Sequence, residues 1–107
     1  MLYRVNAGAI PPGHWAQDMA AGGGRIIGEG CHFIDFMQFV CGSAPKTVRG
    51  TSIGRHSSGI TADQCVITLG FEDGSVGTLI YAAGGDKTLA KERFEAFGAG
   101  KALVMDD

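Results

Sequence analysis

Residues 22–35 read GGGRIIGEGCHFID and belong to the main helical pattern of the chain, which we predict to run from residue 24 to residue 40. At 3.6 residues per turn this pattern separates into two faces. Apolar residues form the face predicted to pack on a core: Ile26, Ile27, Gly30, Phe33, Ile34, Met37, Val40 and Cys41. Polar residues and one glycine form the opposite face: Arg25, Gly28, Glu29, His32 and Asp35.

The polar face is typical of a site for proton transfer. His32 has an acid three residues away on either side, at Glu29 and Asp35. An imidazole changes charge near neutral pH, and it therefore suits general acid–base chemistry. The glycines of this segment would let a ligand approach closely. A structural histidine between two exposed helix acids is the alternative interpretation, and the pattern alone leaves both open.

Composition excludes several classes of function. The chain has 107 residues, enough for one domain, and its formal net charge of -2 does not favour binding to nucleic acid or to an acidic membrane surface. The three cysteines, Cys31, Cys41 and Cys65, contain no C-x-x-C spacing, so neither a disulfide framework nor a metal site is predicted. With no signal peptide and no apolar run long enough to span a bilayer, we expect a cytoplasmic protein with reduced thiols.

Strands are predicted on both sides of the helix. An alternating segment at 2–8 precedes it, and Gly42 and Pro45 end it. A polar turn is predicted at 55–59, and Asp73-Gly74 predicts a hairpin. The strand-like segments after the helix cover residues 47–53, 61–71, 75–83, 92–98 and 102–105.

This order of elements predicts an α+β fold. One strand, one helix and then several strands favour a mostly antiparallel open sheet with one main helix packed on one face. Such a sheet would leave its other face bare, so we expect a homo-oligomer that forms through the sheet. The strands at 61–71 and 75–83 are expected to contribute most to that contact.

Two glycine clusters look like nucleotide-binding loops but do not match them. Residues 22–30 contain no G-x-G-x-x-G and follow no βα unit. Residues 98–101 read GAGK, but Glu95 and Ala102 stand where a phosphate loop requires Gly and Ser or Thr. We therefore predict that both clusters form turns, and we assign no cofactor-binding residue to the chain.

With these residues the chain resembles the glucose–fructose oxidoreductase and inositol dehydrogenase (Gfo/Idh/MocA) family. The pattern GGGxxxxxGxHxxD at 22–35 carries the resemblance, and YRVNAG at 3–8 and HW at 14–15 are similar to a branch of bacterial oxidoreductases. Some members of that branch are fused to a zinc-type alcohol dehydrogenase-like module. The resemblance implies a C-terminal domain with an open antiparallel sheet, preceded in the whole enzyme by a Rossmann domain that binds NAD or NADP.

The resemblance also implies roles for individual residues. His32 matches the family's catalytic histidine, and Asp35 matches a carboxylate that contacts substrate hydroxyls. The family commonly has Asp four residues before that histidine, where this chain has Gly28. Glu29 then replaces that Asp as a catalytic carboxylate, or the histidine lacks such a partner. The other expected substrate contacts are Arg25, Asn6, His14 and Trp15. For the last two, a packed corner beside the Pro-Pro-Gly segment is the alternative.

What the resemblance implies for function is the substrate and oligomerisation domain of an NAD(P)-dependent oxidoreductase. The substrate would be a small sugar-like or polyol-like alcohol or ketone. The family's catalytic lysine and its cofactor site lie in the Rossmann domain, so this chain alone is expected to be an inactive fragment. The alternative is a non-catalytic β-sheet assembly module in which His32 is structural.

Overall fold

The computed structural model describes residues 1–54 and 63–107. The polar turn predicted at 55–59 lies outside the described residues, as do the first two residues of the strand predicted at 61–71. The helical elements are a 3₁₀ turn at Trp15–Gln17, a π-helical turn at Ile26–Gly30 and the helix α1 at Cys31–Cys41. The strands are β1 (Leu2–Asn6), β2 (Pro45–Ser52), β3 (Cys65–Phe71), β4 (Val76–Ala82), β5 (Glu92–Gly98) and β6 (Lys101–Asp106).

The six strands form one open sheet in the order β2-β3-β4-β1-β5-β6. Neighbouring strands are antiparallel except β1 and β4, which are parallel. β1, which precedes the helix in the chain, lies between β4 and β5; it runs parallel to β4 and antiparallel to β5. The predicted α+β fold, a mostly antiparallel open sheet with one main helix, is confirmed.

The core lies between α1 and one face of the sheet. Alternate residues of the strands point towards it, as the period of two requires, and Phe33 and Met37 of α1 meet them. Gly77 of β4 allows this close approach, since a Cβ there would lie 2.8 Å from the Met37 sulfur. The buried strand residues of this cluster are Tyr3, Val5, Cys65, Ile67, Leu69, Phe71, Leu79, Tyr81 and Phe94.

Turn residues end these elements where the sequence predicts. Gly42 adopts a left-handed conformation (φ 65°) and caps the end of α1. Ala99 and Gly100 have φ values of 50° and 72° and connect β5 to β6, as a type I′ hairpin requires. The second glycine cluster is thus a hairpin turn, as predicted. Within the described residues, no helix is long and apolar enough to cross a membrane.

The face assignment at the start of the predicted helix is wrong. Ile27, predicted to face the core, is 67% exposed, whereas Arg25, predicted to lie opposite the core, is only 7% exposed. The cause is the π-helical turn that precedes α1. A π turn closes over one more residue than an α turn, which displaces the helical phase by roughly 100°. Residues at the start of the turn and within it therefore face differently from what a continuous α-helix would give.

The face of the sheet opposite α1 carries exposed apolar side chains. The pairing registers place Leu2, Val76, Phe97 and Val104 on this open face, and all four are exposed. Half-buried Ile80 belongs to the same face. β4 supplies Val76 and Ile80 to this face, and β5 and β6 add the large apolar side chains of Phe97 and Val104.

Candidate functional site

Arg25 lies buried where β1 ends and the π-helical turn begins. Its guanidinium donates hydrogen bonds to the carbonyl oxygens of Gly8 at 2.6 Å and Ala7 at 3.2 Å. It also lies 5.4 Å from the centre of the Tyr81 ring. These contacts make Arg25 an internal clamp between the helix start and the sheet, which differs from the exposed substrate contact that we predicted.

Glu29 receives hydrogen bonds from two sheet-side residues. Its Oε2 accepts from the Tyr81 hydroxyl at 2.5 Å, and its Oε1 accepts from the Lys91 ammonium at 2.7 Å. Arg25 adds an ion pair at 3.7 Å to Oε2. Glu29 therefore joins the π-helical turn to β4 and to the segment before β5. We call Arg25, Glu29, Tyr81 and Lys91 the Glu29 cluster.

Protonation within the Glu29 cluster follows from these contacts. Burial alone would raise the pKa of Glu29, but hydrogen bonds from Lys91 and Tyr81 hold that pKa below its ordinary value. Burial and the hydrogen bond to Glu29 raise the pKa of the Tyr81 phenol. At neutral pH the carboxylate is thus charged and the phenol is a donor, which is the state that the contact needs.

Tyr81 and Lys91 were not among the predicted site residues. A signal for Tyr81 exists in the sequence, because the alternation of β4 places it on the core face. A buried tyrosine hydroxyl usually requires a hydrogen-bond partner. Its partner, 52 residues away in the chain, follows only from the tertiary fold. The sequence offers no comparable signal for Lys91.

His32 and Asp35 lie on the exposed side of α1, one turn apart. Within the described part of the chain, neither side chain forms a hydrogen bond or an ion pair. His32 follows Glu29 by three residues, but both Glu29 oxygens accept from other groups. The structure therefore presents an imidazole and a carboxylate together on one surface, next to the Glu29 cluster.

His14 and Trp15 lie in and beside the 3₁₀ turn. The His14 Nδ1 accepts a hydrogen bond from the Ala16 amide at 3.2 Å, and the two rings lie 5.7 Å apart. Trp15 is 68% exposed, so its indole does not fill a packed corner. Both side chains are at the surface, where an aromatic wall for a substrate would have to be.

Asn6 is committed to the chain itself. Its amide nitrogen donates to the carbonyl oxygens of Asp86 at 2.7 Å and Leu89 at 3.2 Å. These contacts hold the segment between β4 and β5, which ends at Lys91. Asn6 is thus placed to orient that segment, and its role as a substrate contact stays a prediction.

The glycines at 22–24 do not offer a cradle for a nucleotide phosphate. The 3₁₀ turn packs directly on them, and a Cβ on Gly22 would lie 2.6 Å from the Ala16 Cα. The Gly24 amide donates to the Ala16 carbonyl oxygen. The chain itself thus fills the space that a phosphate would need, so these residues do not fit NAD(P). Among residues 1–54 and 63–107, no group of three or more His, Cys, Asp or Glu could hold a metal ion.

An open groove lies at the other end of the sheet. It is formed by the beginning of β1, the end of α1 and the β5–β6 hairpin, with Val40, Phe97 and Leu103 among its residues. Its lining contains no histidine, aspartate or glutamate. The groove therefore lacks the imidazole and carboxylate groups that His32 and Asp35 present on α1.

Comparison with known proteins identifies this architecture. A family model described as the GFO/IDH/MocA C-terminal domain matches residues 2–104. Among functionally curated proteins, no significant match is found.

Solved structures share the fold. An oxidoreductase domain protein from Kribbella flavida is 24% identical, with a TM-score of 0.77 over 98% of this chain and 33% of its own. GenD2 from gentamicin A biosynthesis, solved with NAD, is 22% identical, with a TM-score of 0.69 over 98% of this chain and 30% of its own. An NAD-binding protein from Listeria innocua is 24% identical, with a TM-score of 0.63 over 86% of this chain and 28% of its own. The chain thus spans about a third of the length of these proteins.

Proposed function

Because the chain belongs to the GFO/IDH/MocA C-terminal domain family, we propose that it is the substrate-binding and oligomerisation domain of an NAD(P)-dependent oxidoreductase. The proposed substrate is a small sugar-like or polyol-like alcohol or ketone. NAD or NADP would be bound by a separate N-terminal Rossmann domain, in keeping with the glycine segment at 22–24, which does not fit a phosphate. We also propose a cytoplasmic location, supported by the three free cysteines.

The observation that carries the proposal is the exposure of His32 and Asp35 side by side on α1. Neutral imidazole can accept the proton of a substrate hydroxyl, and imidazolium can return a proton to a carbonyl oxygen in the reverse direction. Asp35 can accept hydrogen bonds from neighbouring hydroxyls, which favours a substrate with several of them. When bound, NAD(P) supplies the hydride acceptor or donor.

The surrounding residues hold the helix that carries His32 and Asp35 in a fixed position on the sheet. The Glu29 cluster holds the turn before α1, and Phe33 and Met37 pack the other side of α1 on the sheet. His14 and Trp15 are the proposed aromatic wall, because both rings are exposed on the turn that packs against the glycine segment. A rigid element that carries exposed acid–base groups is what positioned proton transfer requires.

The open face supports the proposed oligomerisation. Exposed apolar residues on β1, β4, β5 and β6 share one side of the sheet. Contiguous apolar surface of this kind generally marks a protein–protein contact. The open face is the one observation that favours the alternative, a non-catalytic assembly module. That alternative assigns no role to His32 and Asp35 on α1.

The test is His32→Asn in the full-length enzyme, with Gln38→Asn on the exposed side of the same helix as the control. Initial rates of NAD(P)H formation are measured over a panel of hexoses and inositols. Loss of a positioned acid–base group should lower kcat by about 10²- to 10⁴-fold, while the free energy of unfolding changes by less than about 1 kcal/mol. The control should retain its rate. Full activity of His32→Asn would favour the assembly module, and a wild-type enzyme inactive on the whole panel would contradict the polyol assignment.

A further inference from the structure

We propose that Tyr81 and Glu29 form a latch that fixes the π-helical turn and thereby positions His32. This inference rests on the proposed function for the role of His32. It makes Tyr81 and Glu29 positioning residues, which act on the reaction through the helix and make no contact with the substrate.

The contacts that carry this inference join three parts of the chain. The Tyr81 hydroxyl comes from the middle of the sheet and donates to Glu29 at 2.5 Å. Lys91 comes from the segment before β5 and donates to the other oxygen at 2.7 Å. Arg25 lies at the start of the same turn and is fixed to the end of β1. The π-helical turn is therefore tied to the sheet at both of its ends.

Removing either partner of the Tyr81–Glu29 hydrogen bond leaves the other partner without that bond, which lowers the stability of the folded chain. Tyr81 is fully buried, and its hydroxyl would lose its partner if Glu29 were removed. The Glu29 carboxylate is partly buried, with 29% of its side chain exposed, and it would lose its most buried donor if Tyr81 were changed. A hydrogen bond to a charged group is among the stronger ones, and an unmade one is costly. The two residues should therefore be energetically coupled.

The link to His32 is the helix itself. Glu29 lies within the π-helical turn, and Cys31 and His32 begin α1 directly after it. Single π turns occur frequently at functional sites. The described contacts of Glu29 are to Tyr81, Lys91 and Arg25, and none of them joins it to His32. Its effect on the imidazole must pass through the backbone between positions 29 and 32.

Tyr3 offers a matched control for Tyr81. Its hydroxyl also donates to a glutamate, Glu92, at 2.7 Å, and its ring also lies against Phe33. Tyr81→Phe and Tyr3→Phe therefore remove the same atom from the same core. Only the Tyr81 hydroxyl is bonded to the π-helical turn.

The first experiment measures hydrogen exchange in the 107-residue chain, which needs no substrate. Tyr81→Phe should speed amide exchange across residues 26–32 by about 10- to 100-fold, the factor that corresponds to losing a hydrogen bond to a charged group. Tyr3→Phe should leave these amides within about twofold of the wild type. Lys91→Met, a change at a half-exposed side chain, should speed them about two- to fivefold and serves if Tyr81→Phe does not fold. Unchanged exchange at 26–32 in both variants would overturn the latch.

The second experiment uses the full-length enzyme and the panel of hexoses and inositols. Tyr81→Phe should lower kcat about 10- to 100-fold with KM nearly unchanged, as expected for a misplaced acid–base group, and Tyr3→Phe should not. Tyr81→Phe and Glu29→Gln should leave the inflection of the pH–kcat profile in place. A shift of that inflection in Glu29→Gln alone would show a direct partner of His32 and overturn the positioning role. Failure of the proposed function is distinguishable, because it removes the effect of His32→Asn and leaves the exchange result intact.

Discussion

Replacing Arg25 by methionine tests whether the start of the helix depends on a buried clamp. The guanidinium donates to the carbonyl oxygens of Gly8 and Ala7. Methionine would keep much of the apolar stem but would leave both acceptors without these donors. Arg25→Met should therefore destabilise the chain and should not act as a surface change.

The magnitude follows from the contacts that are lost. Each carbonyl left without a donor costs about 1–3 kcal/mol, and the contact with the Tyr81 ring contributes about 0.5–2 kcal/mol. The ion pair with Glu29 is long, at 3.7 Å, and Glu29 keeps Lys91 and Tyr81, so this pair adds little. The expected loss is about 4 kcal/mol, a large fraction of the roughly 5–15 kcal/mol that stabilises a domain of this size.

Urea unfolding of the 107-residue chain, followed by circular dichroism at pH 7, measures this loss. Arg25→Lys should fall between the wild type and Arg25→Met, because an ammonium cannot reproduce the planar fork of the guanidinium. Lys46→Met, at an exposed position of β2, is the control and should change stability by less than about 0.5 kcal/mol. A loss below about 1 kcal/mol in Arg25→Met would refute the reasoning, because the two carbonyls would then have other donors.

Two further predictions concern pH and assembly. The pKa of Glu29 is lowered on folding. Its contribution to stability is therefore fully present above the ordinary pKa of 4.5 and is lost as the pH falls through the lower pKa of the folded state. In urea titrations, the difference in unfolding free energy between wild type and Glu29→Gln should narrow from pH 7 to pH 3. In sedimentation at micromolar concentration the chain should be a dimer or larger, Phe97→Glu on the open face should make it monomeric, and Val48→Glu on the other face should not; a monomeric wild type would contradict assembly through the open face.

The strands of the sheet could be predicted from the sequence because the alternation of side chains along a strand does not depend on what packs against it. Alternation at 75–83 predicts the strand found at Val76–Ala82, and the Asp73-Gly74 signal predicts its hairpin with β3. A strand's side chains alternate whatever its neighbours are, so the core face follows from the register of apolar residues. The parallel pairing of β1 with β4 could not be predicted, because alternation does not report which strands are adjacent.

The helix could be predicted in extent but not in phase. Periodicity places Phe33 and Met37 on the core correctly, because they lie within the regular helix α1. It fails for Arg25 and Ile27 because they lie at the start of the wider turn that precedes α1 and within it. The groups that hold this turn to the sheet, the Tyr81 hydroxyl and the carbonyls at the end of β1, are distant in the chain. No local pattern in residues 22–35 reports them.

The same displacement limits what a family motif can say about Glu29. The family resemblance implies an Asp at the position of Gly28, and an adjacent glutamate looks like a substitute with a longer arm. Adjacent helical positions, however, differ in direction by about 100°. Gly28 is exposed, whereas Glu29 is directed to Tyr81 and Lys91 in the sheet. The Glu29 carboxylate is therefore directed towards the sheet and not towards the exposed side of the helix. Its contacts support a positioning role and not proton transfer.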